Sequence, residues 1–135
     1  MKIVIITGSS RGIGAATAIA CAKRGMGVIV TYHNSPQAAE QVVQLIEQQG
    51  GKAVALKLNV ADSSSFEAFK DTALSALKRQ WQRVSFDYLV NNAGYGLFNP
   101  IETVTEAEFD GLFNVHLKGP FFLTQTLLPL MADGG

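Results

Sequence analysis

The sequence switches four times between a short, continuously apolar run and a longer stretch with helical spacing. Residues 3–7, 28–32, 53–58 and 86–90 are the apolar runs, and they read as strands. They are apolar throughout rather than at alternate positions, which predicts strands covered on both faces. Residues 12–24 follow the first run with Ile13, Ala16, Ala20 and Cys21 on one helical face, closed by Gly25. Ser35 and Pro36 have the form of an N-cap and first helical residue. Ala39, Val42, Val43 and Ile46 then keep the helical period until Gly50 and Gly51 stop it. Ser64-Ser65-Phe66-Glu67 has capping-box form and opens a helix through Leu77. Thr105-Glu106-Ala107-Glu108 is a second capping box, opening a long apolar helix toward Met131 that Gly119 and Pro120 should kink or interrupt. Alternation of this kind predicts an α/β fold, a doubly wound parallel sheet with right-handed crossovers.

Composition narrows the class. Of 135 residues, 47% are hydrophobic and 16% charged, the opposite of the balance that disorder needs. One domain is expected, with a folded surface of roughly 6,900 Å² against roughly 21,000 Å² unfolded, enough for a core without disulfides or metal. Eleven basic and eleven acidic residues cancel, and no basic run exists. Nucleic acid and anionic membranes are therefore not expected partners. Cys21 is the one cysteine, so no disulfide framework or multi-cysteine metal site is expected, and it reads as a core residue. The N-terminal run reaches Gly8 too soon for a membrane span or a signal peptide, which gives a cytoplasmic expectation.

The first strand ends in Thr7-Gly8-Ser9-Ser10-Arg11-Gly12-Ile13-Gly14, a G-x-x-x-G-x-G spacing. It is neither G-x-G-x-x-G nor a P-loop, but the physical logic is that of a dinucleotide turn. Gly8 permits a tight turn, Gly12 lets backbone approach a pyrophosphate, and Gly14 lets the helix pack closely. The helix's first N–H groups would face the anion. A tight turn without a ligand is the bland alternative. A second polar turn, Asn91-Asn92-Ala93-Gly94, ends the fourth strand. Ligands of open parallel sheets bind beyond the strands' carboxyl ends at the switch point, so both turns should face one crevice. The asparagines could also tie neighbouring strand ends together, and both roles can hold.

These two motifs, in this order and spacing, resemble the short-chain dehydrogenase/reductase family. The stretch from Asn114 to Phe121, with Pro100, Thr105 and Phe109, supports the resemblance, which covers the whole chain. It implies a Rossmann-type fold, a nicotinamide cofactor, and hydride transfer between that cofactor and a small carbonyl or alcohol. Residue by residue, it places Gly8, Ser10, Arg11, Gly12, Ile13 and Gly14 at the phosphate loop. It places Asn91, Ala93 and Gly94 beside the cofactor's ribose and nicotinamide, and makes Asn114 the asparagine of the catalytic tetrad. Asn59 and Val60 match the adenine-contacting segment, where the family usually has Asp; Asn59 keeps a carbonyl acceptor and loses the charge. Asp62 could instead begin the next turn.

The family's serine and Tyr-x-x-x-Lys pair have no counterpart here. Tyr32 leads to Pro36, Tyr88 to Asn92 and Tyr95 to Asn99. Residues 1–135 thus read as one dinucleotide-binding domain, incomplete relative to the family and truncated after the fourth βα unit. The expected function is an NAD(P)-dependent oxidoreductase, with the chain alone inactive. The alternatives are a catalytically silent NADP(H)-binding module and a structural remnant that oligomerises. For the nucleotide, no acid lies between Thr31 and Gln37, where a carboxylate would bind the ribose hydroxyls of NAD. Arg11 could reach a 2′-phosphate, with Tyr32, His33, Asn34 and Ser35 nearby to add donors, so NADP is expected over NAD. His116 reads as a packed or partly exposed helix residue rather than a catalytic one, and Trp81 and Phe86 as packing. Tyr95, Leu97 and Phe98 read either as a substrate-bordering loop or as a covered surface loop. Phe121, Phe122, Leu123, Leu127, Leu128 and Met131 make the last helix apolar nearly all round, which suits a buried helix. With the fourth strand left as an edge, this predicts a homo-oligomer.

Overall fold

β1 (Ile3–Ile6), β2 (Gly27–Tyr32), β3 (Ala53–Lys57) and β4 (Tyr88–Val90) form one parallel sheet in the order β3-β2-β1-β4. The computed structural model describes residues 1–135. Register pairs Ile3 with Gly27, Val4 with both Val28 and Tyr88, and Thr31 with Leu56. Adjacent residues of a strand point to opposite faces. Ile3, Ile5, Ile29 and Leu56 accordingly pack on one side against α3 (Phe66–Trp81) and α5 (Gly119–Leu127). Val4, Ile6, Val28 and Val30 pack on the other against α1 (Gly12–Lys23) and α2 (Pro36–Gln48). Both faces are covered, which is why the runs are continuously apolar.

Several boundaries and faces differ from the sequence reading, each for an identifiable reason. α1 buries Gly14 and Ala18 rather than the expected face, and Ile13, Ala16 and Ala20 are exposed. Its sequence is small and apolar all round, so periodicity cannot choose a face; the close approach at Gly14 does. Cys21 is half-buried against the α1–α2 side of the core. Asp62, not Ser64, caps the short turn Ser63–Ser65 that leads into α3, its carboxylate accepting from the Ser64 N–H. α3 then runs four residues past Leu77 and ends at Gln82, in the left-handed region at φ 53°. Phe86 lies outside β4 and is fully buried, making a lone parallel bridge to Met131.

The expected long helix is three pieces: α4 (Glu106–Phe113), a π turn (Asn114–Lys118) and α5. Pro120 has no N–H to give the preceding turn, and the Gly119 N–H reaches back five residues to the Asn114 carbonyl. Gly119 sits against the Val60 and Asn114 carbonyls, where a Cβ would collide. Thr105 caps α4 by accepting from the Glu108 N–H at 3.2 Å, but the Glu108 carboxylate turns away to Asn99. The last helix is not buried all round. Leu123 and Leu127 are enclosed, while Phe109, Phe113, Leu117, Phe121 and Leu128 are exposed. Phe109 stacks on Phe113 at 4.7 Å, and Phe121 meets Phe122 edge-on at 5.1 Å. The accessible surface, 7766 Å², exceeds the roughly 6,900 Å² expected for this mass. No helix is long and apolar enough to cross a membrane.

The amino ends of β1 and β4 are joined by Asp87. Its carboxylate accepts from the Ile3 N–H at 2.8 Å and from Arg83 at 2.8 Å, with Lys2 at 3.4 Å. Burial pushes the carboxyl up, but the Arg83 and Ile3 hydrogen bonds and the charges of Arg83 and Lys2 outweigh it, and the group lies below the usual carboxylate range. Trp81 closes the same end against Gly27, where a Cβ would stand 2.6 Å from the indole nitrogen. That nitrogen is buried without a hydrogen-bond partner.

Candidate functional site: a cleft beyond the carboxyl ends of the strands

β1 and β4 are neighbours, and β2 and β3 continue to the other side of β1. The loops after β1 and β4 therefore meet at the switch point. Three buried hydroxyls hold the first loop. Ser9 Oγ donates to the Ile6 carbonyl at 2.7 Å and accepts from the Thr31 N–H at 2.9 Å. Thr31 Oγ1 accepts from the Gly8 N–H at 3.2 Å. Thr7 Oγ1 accepts from the N–H groups of both Asn92 and Ala93 at 2.9 Å. Nothing in the glycine spacing revealed these hydroxyls; their signal was polar residues at the ends of otherwise apolar strands.

Gly8 takes φ +60° with Ala93 Cα only 2.8 Å from where its Cβ would be. Gly14 lies beneath the Gly8 carbonyl and the Asn92 side chain, which leaves no room for a Cβ. Gly12 takes φ +58° and faces open space, as a backbone prepared for close approach would. The N–H groups of Gly12, Ile13 and Gly14 have no partner within the chain, and no acidic residue occupies the first turn of α1.

These loops enclose a cleft of about 750 Å³. Twelve of the expected residues line it: Gly8, Ser10, Arg11, Ile13 and Gly14 from the glycine turn; Tyr32, His33 and Asn34 after β2; Asn59 and Val60 after β3; Ala93 and Gly94 after β4. Four expected residues do not. Gly12 is exposed beside it. Ser35 occupies the N-cap position of α2 without a side-chain cap bond. Asn91 donates to Thr124 Oγ1 at 3.3 Å, toward α5. Asn114 opens the π turn one residue before Val115, which does line the cleft.

Asn92 takes the place expected of Asn91. Its side-chain amide donates to the Thr7 carbonyl at 3.0 Å and the Gly8 carbonyl at 3.1 Å, tying the ends of β4 and β1 together. Leu58, Ala61, Tyr95, Gly111 and Val115 complete the wall. Asn59 Oδ1 already accepts from the Ala61 N–H at 3.0 Å, so one of its acceptor positions is used locally. No carboxylate lines the cleft. Arg11 is its one permanently charged side chain, and the guanidinium makes no hydrogen bond or ion pair within the chain.

The family profile of short chain dehydrogenases matches residues 2–135. The chain belongs to the short-chain dehydrogenase family. Elsinochrome reductase 1 of Elsinoe fawcettii is 38% identical over 134 residues, 99% of this chain and 48% of that protein. The solved landomycin C-6 ketoreductase LanV, with bound NADP and rabelomycin, is 36% identical with a TM-score of 0.95, over 99% of this chain and 55% of that one. A blue fluorescent protein from a metagenomic library, in complex with NADPH, is 33% identical with a TM-score of 0.87, over 99% and 53%. The chain spans about half the length of the curated relatives it matches. The shared fold extends over 99% of this chain in both solved structures.

Proposed function

We infer that this chain is the dinucleotide-binding half of an NADP(H)-dependent reductase acting on a small carbonyl compound or the corresponding alcohol. The observation that carries the reading is the cleft itself: unpartnered N–H groups at one helix start, a free guanidinium beside them, and no carboxylate in the wall. An anion is favoured at such a helix start, and the partial positive charge there adds to the hydrogen bonds. Arg11 is suited to the 2′-phosphate through charge-assisted hydrogen bonds, with His33 and Asn34 beside Tyr32 as further donors. A carboxylate after β2 would repel that group, and none is present. Asn59 and Val60 border the adenine side, and Ala93 and Gly94 the nicotinamide side. NADP(H), when bound, supplies the hydride chemistry. Asn114 is assigned to the organisation of the proton path through the resemblance alone.

Within residues 1–135 no tyrosine has a lysine four residues on. The chain by itself is therefore proposed to bind the nucleotide without turnover. Titration with both reduced nucleotides tests the reading: NADPH should bind about tenfold tighter than NADH, the worth of one charge-assisted contact. Equal affinities would sink the preference. Carbonyl-dependent oxidation of NADPH by the 135-residue chain would sink the silent-module reading.

The exposed aromatic pairs on α4 and α5 favour a second proposal, self-association through that face. Sedimentation at tens of micromolar should show a species heavier than 14.5 kDa; a single monomeric boundary would refute it.

A further inference from the structure

Residues 91–100, after β4, carry no regular secondary structure. Their root is held by Thr7, which accepts from the Asn92 and Ala93 N–H groups. Their far end is held by Asn99, which donates to Glu108 at 2.6 Å. In the middle, His116 is the one side chain that hydrogen-bonds the loop. Its Nε2 lies 2.7 Å from the Tyr95 carbonyl and 3.3 Å from the Tyr95 nitrogen; the shorter contact makes Nε2–H the donor, since a carbonyl only accepts. The imidazole fills the space beside Gly94, where a Cβ would stand 2.5 Å from Cε1. The Tyr95 phenol extends over Gly111 of α4, where a Cβ would stand 2.5 Å from Oη. Beyond this point the loop is loosely packed, and Phe98 is 99% exposed.

Gly94, Tyr95 and Gly111 line the cleft, whereas His116 does not. His116 therefore acts on the cleft through Tyr95. We propose that His116 is a positioning residue that fixes Tyr95 as an aromatic wall on the β4 side of the cleft, to receive a planar ring. That side lies across β1 from Tyr32 and His33. The inference rests on the reading of the cleft as a dinucleotide site, and it assigns the wall to the nicotinamide end. A tyrosine tethered at its backbone, with its half-exposed ring laid over Gly111, offers a ring already in place, which is where preorganisation adds affinity.

The test uses the full chain and two probes, NADPH and 2′,5′-ADP, the second lacking the nicotinamide half. His116→Ala should weaken NADPH about fivefold, the worth of one neutral hydrogen bond, and reduce the emission enhancement of the bound nicotinamide, while 2′,5′-ADP binds as to the parent. His116→Gln, whose amide can donate to the same carbonyl, should restore both readouts. Unchanged NADPH binding in His116→Ala, or an equal loss of both probes, would overturn the proposal, as would failure of the glutamine to rescue. A parent chain that binds 2′,5′-ADP but not NADPH would also overturn it. A parent chain that binds neither would overturn the dinucleotide reading, and the wall with it.

Discussion

At the amino end of the sheet, Asp87 spends its carboxylate on Ile3, Arg83 and Lys2, and Trp81 covers Gly27. At the carboxyl end, Arg11 and the first N–H groups of α1 have no partner in the chain at all. Both ends must finish the same parallel strands, yet one spends its charged groups on the chain itself, leaving only the Trp81 indole N–H unpaired, and the other leaves several donors facing a cleft. The difference shows where polar capacity serves stability and where it is held for a ligand. Buried polar groups are almost always paired, so a set of unpaired donors of one kind, beside a cation, points outward to an anion.

The contrast breaks most strongly at Asp87. Asp87→Ala leaves the Ile3 N–H unpaired in the core and should lower stability by about 3 kcal/mol in urea unfolding, without altering the nucleotide affinity of the folded fraction. Its pH dependence has a definite sign. The folded carboxyl titrates below its unfolded value, so its contribution is complete above about pH 4 and is lost as pH falls through the folded value. The variant should lack that part of the acid limb.

Gly8→Ala tests the other end. A Cβ there meets Ala93 and forces a non-glycine residue to φ +60°, which should cost roughly 2 kcal/mol in stability and weaken nucleotide binding as well. A variant that loses stability but keeps full NADPH affinity would show that the turn is structural only. Arg11→Ala should leave stability nearly unchanged, since the guanidinium makes no hydrogen bond or ion pair in the chain, and cost about tenfold in NADPH affinity with NADH unaffected. Equal losses for both nucleotides would place Arg11 at the shared pyrophosphate instead.

Much of this was readable from residue order. The four alternations gave the sheet and its two covered faces, because continuous apolar runs can only be buried on both sides. The glycine turn and the turn after β4 located the cleft, because strand order puts their loops together. Choices between adjacent residues were not readable. Asn91 and Asn92 are identical side chains one position apart, and only the register of β4 against β1 decides that Asn92 reaches Thr7 and Gly8. Ile13 looked like core in a helix apolar all round, and the tight contact at Gly14 turned it outward. A kink or interruption at Gly119-Pro120 was visible; its form, a π turn beginning at Asn114, goes with the close approach of Gly119 to the Val60 carbonyl. Tyr95 lies in a loop whose sequence reads either as bordering the substrate or as a covered surface loop, and it lines the cleft while Leu97 and Phe98 stay exposed; Val115 entered the wall through a π turn that no local pattern encodes.

Trp81 gives the molecule an optical property of its own. It is the single tryptophan, and its indole N–H finds neither a protein acceptor nor solvent. An indole in such surroundings emits at short wavelength and shifts to the red when water reaches it. The chromophore sits at the end of the sheet remote from the cleft, so its colour reports the loosening of the Asp87 end while remaining blind to direct contact with a ligand. Nicotinamide emission would report the opposite end, and the two colours together would tell from one cuvette which end of the sheet opens first.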